Sequence, residues 1–378
     1  MILIPLGNIK EDKVPKSDIL EFYKDSLVGL AAARPTPPLP KPINTTPWIA
    51  MSFMQKAIRR GNGPAALMGA ATLLRDAPER LWRRVGCVAF EDVGVADIEC
   101  LGLVTAAQAG KADRRKLGGE WAVASLIIER MADAAKNRSA DDLLMTIAGL
   151  PSLADERKNF ATLSDQRLYQ IVLGCSDLHK RGLALWYLMG TKRCPSPNLP
   201  HRQGNVEFAF EVLAEHGVSP SMLQIARQGF RKTGEMLAPF AALLTLVNGI
   251  RGDGAQNDRI PHKRLVGGVP SYALDTYTRE GKQAFSRFLK TNAGTVEWMT
   301  ANLPGNGRNA FVGELVFRIE GGCLNNRRAG PVADALRAQY ELGCLGCSPD
   351  QAASVLSLMR NDMALLNDCR AEVLGEAK

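Results

Sequence analysis

The sequence almost lacks the period-two alternation of apolar and polar residues that marks half-buried strands, and aromatics make up only 6% of it. Without alternation or runs of β-branched and aromatic residues, extended sheet is excluded and the helical period remains. No apolar run approaches the ~20 residues that span a bilayer, so no membrane partner is expected. Met1-Ile-Leu-Ile-Pro-Leu is apolar but short and has no basic start. It does not read as a signal peptide, and a cytoplasmic protein is expected. Eight cysteines stand at irregular spacing, which reads as reduced thiols rather than a disulfide framework. Cys344-Leu-Gly-Cys347 is a lone pair, and His179, His201, His216 and His262 add no ligand spacing to it. Neither a zinc site nor a thioredoxin-like centre is expected. No G-x-x-x-x-G-K-[ST], H-E-x-x-H or G-x-S-x-G occurs, so no phosphate loop, zincin helix or nucleophile elbow is present. The expectation is a chain with no catalytic residues, no metal and no cofactor.

What is present is basic charge. The net charge is +8 and the isoelectric point about 9.1. That balance favours anionic partners, DNA among them, without naming one. At 378 residues the chain is long enough for two or three domains and a sizeable core.

Residues 1–46 read as an arm. Ser17 to Ala33 is one helix with Ser17 as its cap, and Arg34-Pro-Thr-Pro-Pro-Leu-Pro-Lys-Pro42 is an extended proline linker. From Thr46-Pro47 the pattern is helical, with Met51, Met54, Ala57 and Ile58 on a core face. Gly61-Asn-Gly-Pro64 stops that helix, and Asp76-Ala-Pro-Glu79 reads as a capping box opening another. Helical segments continue from residue 151 to Glu376, broken by loops at Cys194 to Gln203 and Arg251 to Pro270. The fold class is all-α and multi-helical. The expected domains are the arm at 1–46, a helical domain at 47–150 and a larger helical domain at 151–378.

Three segments carry a resemblance: Ser52-Phe-Met-Gln-Lys-Ala-Ile-Arg-Arg-Gly61, Leu81-Trp-Arg-Arg-Val85 and Phe90-Glu-Asp-Val-Gly-Val-Ala-Asp97. Together with the Lys136–Ser139 turn they resemble the C-terminal helical domain of the replication-associated recombination protein A family (RarA, also called MgsA). Those proteins are clamp-loader-type AAA+ ATPases that act at stalled replication forks. The likeness runs from Pro47 to Leu144, about a quarter of the chain, with Phe90 where the family has serine. The motor domain of that family has no counterpart here. In the family this domain oligomerises beside the motor ring, and a clamp-loader-collar-like helical domain is implied for residues 47–150. The resemblance implies a non-catalytic accessory protein of DNA replication or repair that self-assembles or docks on a partner, an ATPase encoded elsewhere, as on a plasmid or phage, being one such partner. The alternative is a protein–protein adaptor without nucleic-acid affinity.

Glu91 and Asp92 fall at a helix C-terminus, where the helix dipole disfavours anions by about 0.3–1 kcal/mol. A compensating ion pair with Lys56, Arg59 or Arg60 is expected, which would fix the angle between two helices. Lys56, Arg59 and Arg60 form one basic row, and Arg80, Arg83 and Arg84 another. Such rows neutralise phosphates, and they are also what a solvated face looks like. His262, Lys263 and Arg264, followed by Tyr272 and Tyr277, combine cations with aromatics suited to gripping a single strand. An enzyme site would require Asp258, His262, Asp275 and Arg279 to gather in one pocket.

Overall fold

The computed structural model describes residues 19–375, and the expected cap at Ser17 lies outside them. The described residues form an all-α, multi-helical fold, with one two-stranded hairpin pairing Leu265–Val266 with Val269–Pro270. Among them, no helix is long and apolar enough to cross a membrane.

The first helices are α1 (Ile19–Ala33), α2 (Pro47–Arg59), α3 (Gly63–Asp76), α4 (Pro78–Val88), α5 (Ile98–Ala107), α6 (Lys111–Lys116), α7 (Glu120–Asp133) and α8 (Ser139–Gly149). Then come α9 (Ala154–Thr162), α10 (Asp165–Gly174), α11 (Leu178–Met189), α12 (Val206–Glu215), α13 (Pro220–Thr233) and α14 (Leu237–Leu244). After the hairpin follow α15 (Arg279–Phe288), α16 (Gly294–Asn302), α17 (Arg308–Val316), α18 (Pro331–Ala338) and α19 (Pro349–Val373). Three π-helical turns extend α4, α17 and α18, at Ala89–Val93, Phe317–Gly321 and Gln339–Gly343.

Local chemistry sets most helix starts. Thr46 accepts the Ile49 amide at 3.3 Å, with Pro47 at the first helical position of α2. Ser348 and Gln351 form a capping box at α19. The capping box expected at Asp76–Glu79 does not form. Asp76 belongs to the last turn of α3 and pairs with Arg75 at 2.6 Å, so Ala77 opens α4 without a side-chain cap. Helix α6 occupies the basic stretch Lys111–Lys116, and α8 and α9 were also missed by sequence pattern.

The arm is part of the body. Tyr23 and Leu27 of α1 are buried in the main core, and α1 lies on α5. The proline linker is extended as expected, and it is docked: the Trp121 indole donates to the Pro37 carbonyl at 2.8 Å. Arg34 pairs with Glu129, and the Ile43 amide donates to Thr72 Oγ1 at 2.9 Å.

Two apolar cores form. The larger runs from Ile19 to Leu274, straight across residue 150, and also takes in Ala329, Ala333, Leu336 and Ala371. The smaller gathers Ala284 to Cys369 around α15, α16, α17 and α19. Helices α2 and α3 pack against each other in the larger core. A methyl on Gly69 would sit 2.9 Å from Met54 Cβ, so glycine sets that approach.

Polar side chains join the two cores. Arg370, fully buried, donates to Glu320 at 2.6 Å and to the Leu274 carbonyl at 2.9 Å. Within the larger core, Lys56 donates to Asp275 and to the Tyr272 carbonyl at 2.7 Å, tying α2 to the segment after the hairpin. Arg60 reaches the Glu320 carbonyl at 2.6 Å.

Candidate nucleic-acid interface

The residues that carry the resemblance build an internal ion cluster. Asp92 is 0% exposed and accepts from Arg59 Nε at 2.7 Å, Arg138 Nη1 at 2.5 Å and Gln55 Nε2 at 3.0 Å. Glu91 accepts from Arg59 at 2.6 Å and Arg138 at 3.2 Å, with Arg84 at 3.5 Å. Asp141 closes the set on Arg138. Three guanidiniums thus face three carboxylates, which is what lets the charges stay buried. Burial alone would raise the Glu91 carboxyl, but Arg84, Arg59 and Arg138 outweigh it and hold it below the usual carboxylate range. The pair expected between the opening helix and Glu91–Asp92 is present, and Arg59 supplies it. The π-turn at Ala89–Val93 presents both carboxylates to α2 and α8. Gly94, at φ 53°, then turns the chain where a side chain would strike the Asn137 carbonyl.

Asp142 sits beside this cluster, 6% exposed, at a void of about 20 Å³ with room for a single water. Burial pushes its carboxyl up to about 7, opposed by Arg138 and Arg337 and reinforced by Asp141 and Glu341. Arg318, Arg327 and Tyr340 line the same void. Its folded pKa exceeds its unfolded one, so the folded state holds a proton that the unfolded chain has released. Stability from this group is therefore intact below pH 4 and falls as the pH rises toward 7. Asp142→Asn is expected to match the parent protein at pH 4 and exceed it by about 1 kcal/mol or more at pH 8, read by urea unfolding. Equal stabilities at pH 8 would refute the assignment.

The remaining expected site residues divide by exposure. Lys56 and Arg59 are 4% and 2% exposed, so they are not a DNA-contacting row. Each is turned inward by carboxylates and carbonyls far along the chain: Asp275 for Lys56, Asp92 and the Gly321 carbonyl for Arg59. Arg60 is half-buried, its guanidinium 3.9 Å from the Tyr272 ring centroid. Tyr272 is buried under it and packs near Phe53, so it offers no face to a base. Arg84 is half-buried and committed to Glu91 and Gln55. Arg80 and Arg83 are exposed, and Arg83 reaches Glu235 at 3.8 Å. His262, Lys263 and Arg264 are exposed on the approach to the hairpin, where Arg264 pairs with Asp368 at 2.5 Å. Asp258 pairs with Arg337 at 2.8 Å and Asp275 with Lys56, while Arg279 lies elsewhere, so the four residues of the enzyme reading do not gather.

The exposed cations meet exposed aromatics at one place. Among the described residues, two aromatic side chains are exposed: Trp48, about half, at 48%, and Tyr277 at 70%. Both line one cleft of about 760 Å³, together with Arg279, Lys282, Gln283 and Arg287. Arg80 stands over the Trp48 ring at 4.9 Å from its centroid. Trp48 projects from the first turn of α2, off the apolar stripe of Ile49, Phe53 and Ala57. Tyr277 lies in the turn before α15, where Thr278 caps the helix by accepting the Gly281 amide at 3.0 Å. Asp275 orders that turn: Oδ1 accepts the Tyr277 amide at 2.9 Å, and Oδ2 accepts Ser52 Oγ at 2.7 Å and Lys56 Nζ. In the sequence Lys282, Arg287 and Lys290 form one more basic stretch, and Trp48 was not among the expected site residues. The available signal was an aromatic off the buried stripe of its helix.

The comparisons with known proteins come back empty: no family model, no curated protein and no solved structure matches the chain.

Proposed function

We propose that this protein is a non-catalytic accessory factor of DNA replication or repair, which binds DNA through the cleft between Trp48 and Tyr277 and works alongside a protein partner or further copies of itself. The observation that carries the reading is the convergence of both exposed aromatics with Arg80, Arg279, Lys282 and Arg287. Cations of this kind neutralise phosphates and aromatic faces stack on bases. The net charge of +8 favours the same class of ligand. The replication and repair setting rests on the resemblance of residues 47–144 to the RarA C-terminal domain.

A second reading, a protein–protein adaptor, is favoured by a separate open groove of about 860 Å³ whose lining includes Leu144, Met145, Trp186 and Met236. Fluorescence anisotropy of labelled DNA in a salt series separates the two. Affinity that falls linearly in a log–log plot against salt supports DNA binding. Absence of binding even at low salt leaves the adaptor.

A further inference from the structure

We infer that the Trp48–Tyr277 cleft takes unpaired bases, so that its ligand is a short single-stranded stretch and not a duplex; this rests on the DNA-binding reading above. In a duplex the faces of each base are already covered by its neighbours, and only edges and phosphates are on offer. A single strand presents free faces, and flat aromatic side chains are what those faces bind. The cleft offers two such platforms and basic side chains along one open surface. The cleft is open to solvent along its length, as a strand that enters and leaves it requires.

The backbone segments that carry the two rings are held in place before any ligand arrives. Ser52 lies one helical turn after Trp48 and donates to Asp275, whose other oxygen holds the Tyr277 backbone. Lys56, one turn further on, locks the same carboxylate from within the core. Trp48 and Tyr277 are therefore tied to each other through one buried ion pair, although 229 positions separate them in the chain. Such preorganisation removes ordering cost from binding. Arg80 keeps a guanidinium on the Trp48 ring, which strengthens its use as a base platform by adding charge beside the stack.

The test compares oligodeoxythymidylate with a hairpin duplex of equal phosphate number, by anisotropy, in the parent protein and in Trp48→Ala, Tyr277→Ala, Trp48→Phe and Tyr277→Phe. Both side chains are exposed, so the fold is expected to survive, and circular dichroism checks it. The expected result is tighter binding of the oligothymidylate, weakened roughly 5- to 150-fold by either alanine and largely retained by phenylalanine. Equal affinity for both ligands, untouched by the alanine substitutions, would overturn the inference while leaving DNA binding standing. Failure of both ligands to bind would remove the inference and the reading beneath it.

Discussion

Asp92→Ala is expected to destabilise the protein by about 3–5 kcal/mol, a large part of the 5–15 kcal/mol that holds a typical fold together. The cause is not the loss of one good contact. Asp92 is fully buried and is shared by Arg59, Arg138 and Gln55. Removing it leaves two guanidiniums, each 5% exposed or less at the side chain, leaning on the remaining carboxylates. Both also stand over the Phe317 ring, Arg59 at 5.5 Å and Arg138 at 5.1 Å, so neither has a route to water without repacking the π-turn that follows α17. Denaturant unfolding of the variant, or its yield in soluble form, gives the answer. A loss below about 1 kcal/mol would mean that the cluster relaxes and does not fix the α2–α4–α8 geometry.

The largest functional effect is expected from reversing Arg279, Lys282 and Arg287 to glutamate together. All three side chains are exposed, and Arg287 has a solvent-facing pair with Glu372 at 3.1 Å, so little stability depends on them. DNA affinity is expected to fall roughly a hundredfold or more, and the salt dependence to flatten by about two to three units of log–log slope. The control reverses Lys263 and Arg264, which are also exposed but lie just before the hairpin, where the nearest following aromatic, Tyr272, is buried. That control is expected to change affinity far less. An equal loss in both variants would place binding on general charge and not on the cleft.

The fold class was legible because helix-forming signals are local. Thr46-Pro47 opens a helix by the side-chain and ring chemistry expected of it. Helices α11 (Leu178–Met189) and α12 (Val206–Glu215) lie in the stretch after residue 151 that was expected to be helical. Helix α2 shows where local pattern stops. Its basic residues have the spacing of a solvated face, yet Lys56 and Arg59 are buried because Asp275, Asp92 and the Gly321 carbonyl approach from remote parts of the chain. The pairing of Glu91 and Asp92 with this helix was legible, since an acidic pair at a helix C-terminus demands compensation. The candidate cleft was not. Its two aromatics come from residues 48 and 277, and the docking of the Ser271–Asp275 segment on α2, with Tyr272 near Phe53 and Asp275 held by Ser52 and Lys56, brings them to one wall. The basic-aromatic motif was sought within one segment, where Tyr272 was the natural partner for His262, Lys263 and Arg264. The fold instead buries Tyr272 under Arg60 and leaves Tyr277 outside.

The central claim is that DNA meets this protein at the Trp48–Tyr277 cleft. Ultraviolet cross-linking of oligodeoxythymidylate to the intact protein, followed by peptide mapping, tests it most directly. The account predicts adducts on the peptides that carry Trp48 and Tyr277, lost when Arg279, Lys282 and Arg287 are reversed. Adducts confined to residues 262–264, or to the groove beside Met145 and Met236, would contradict it.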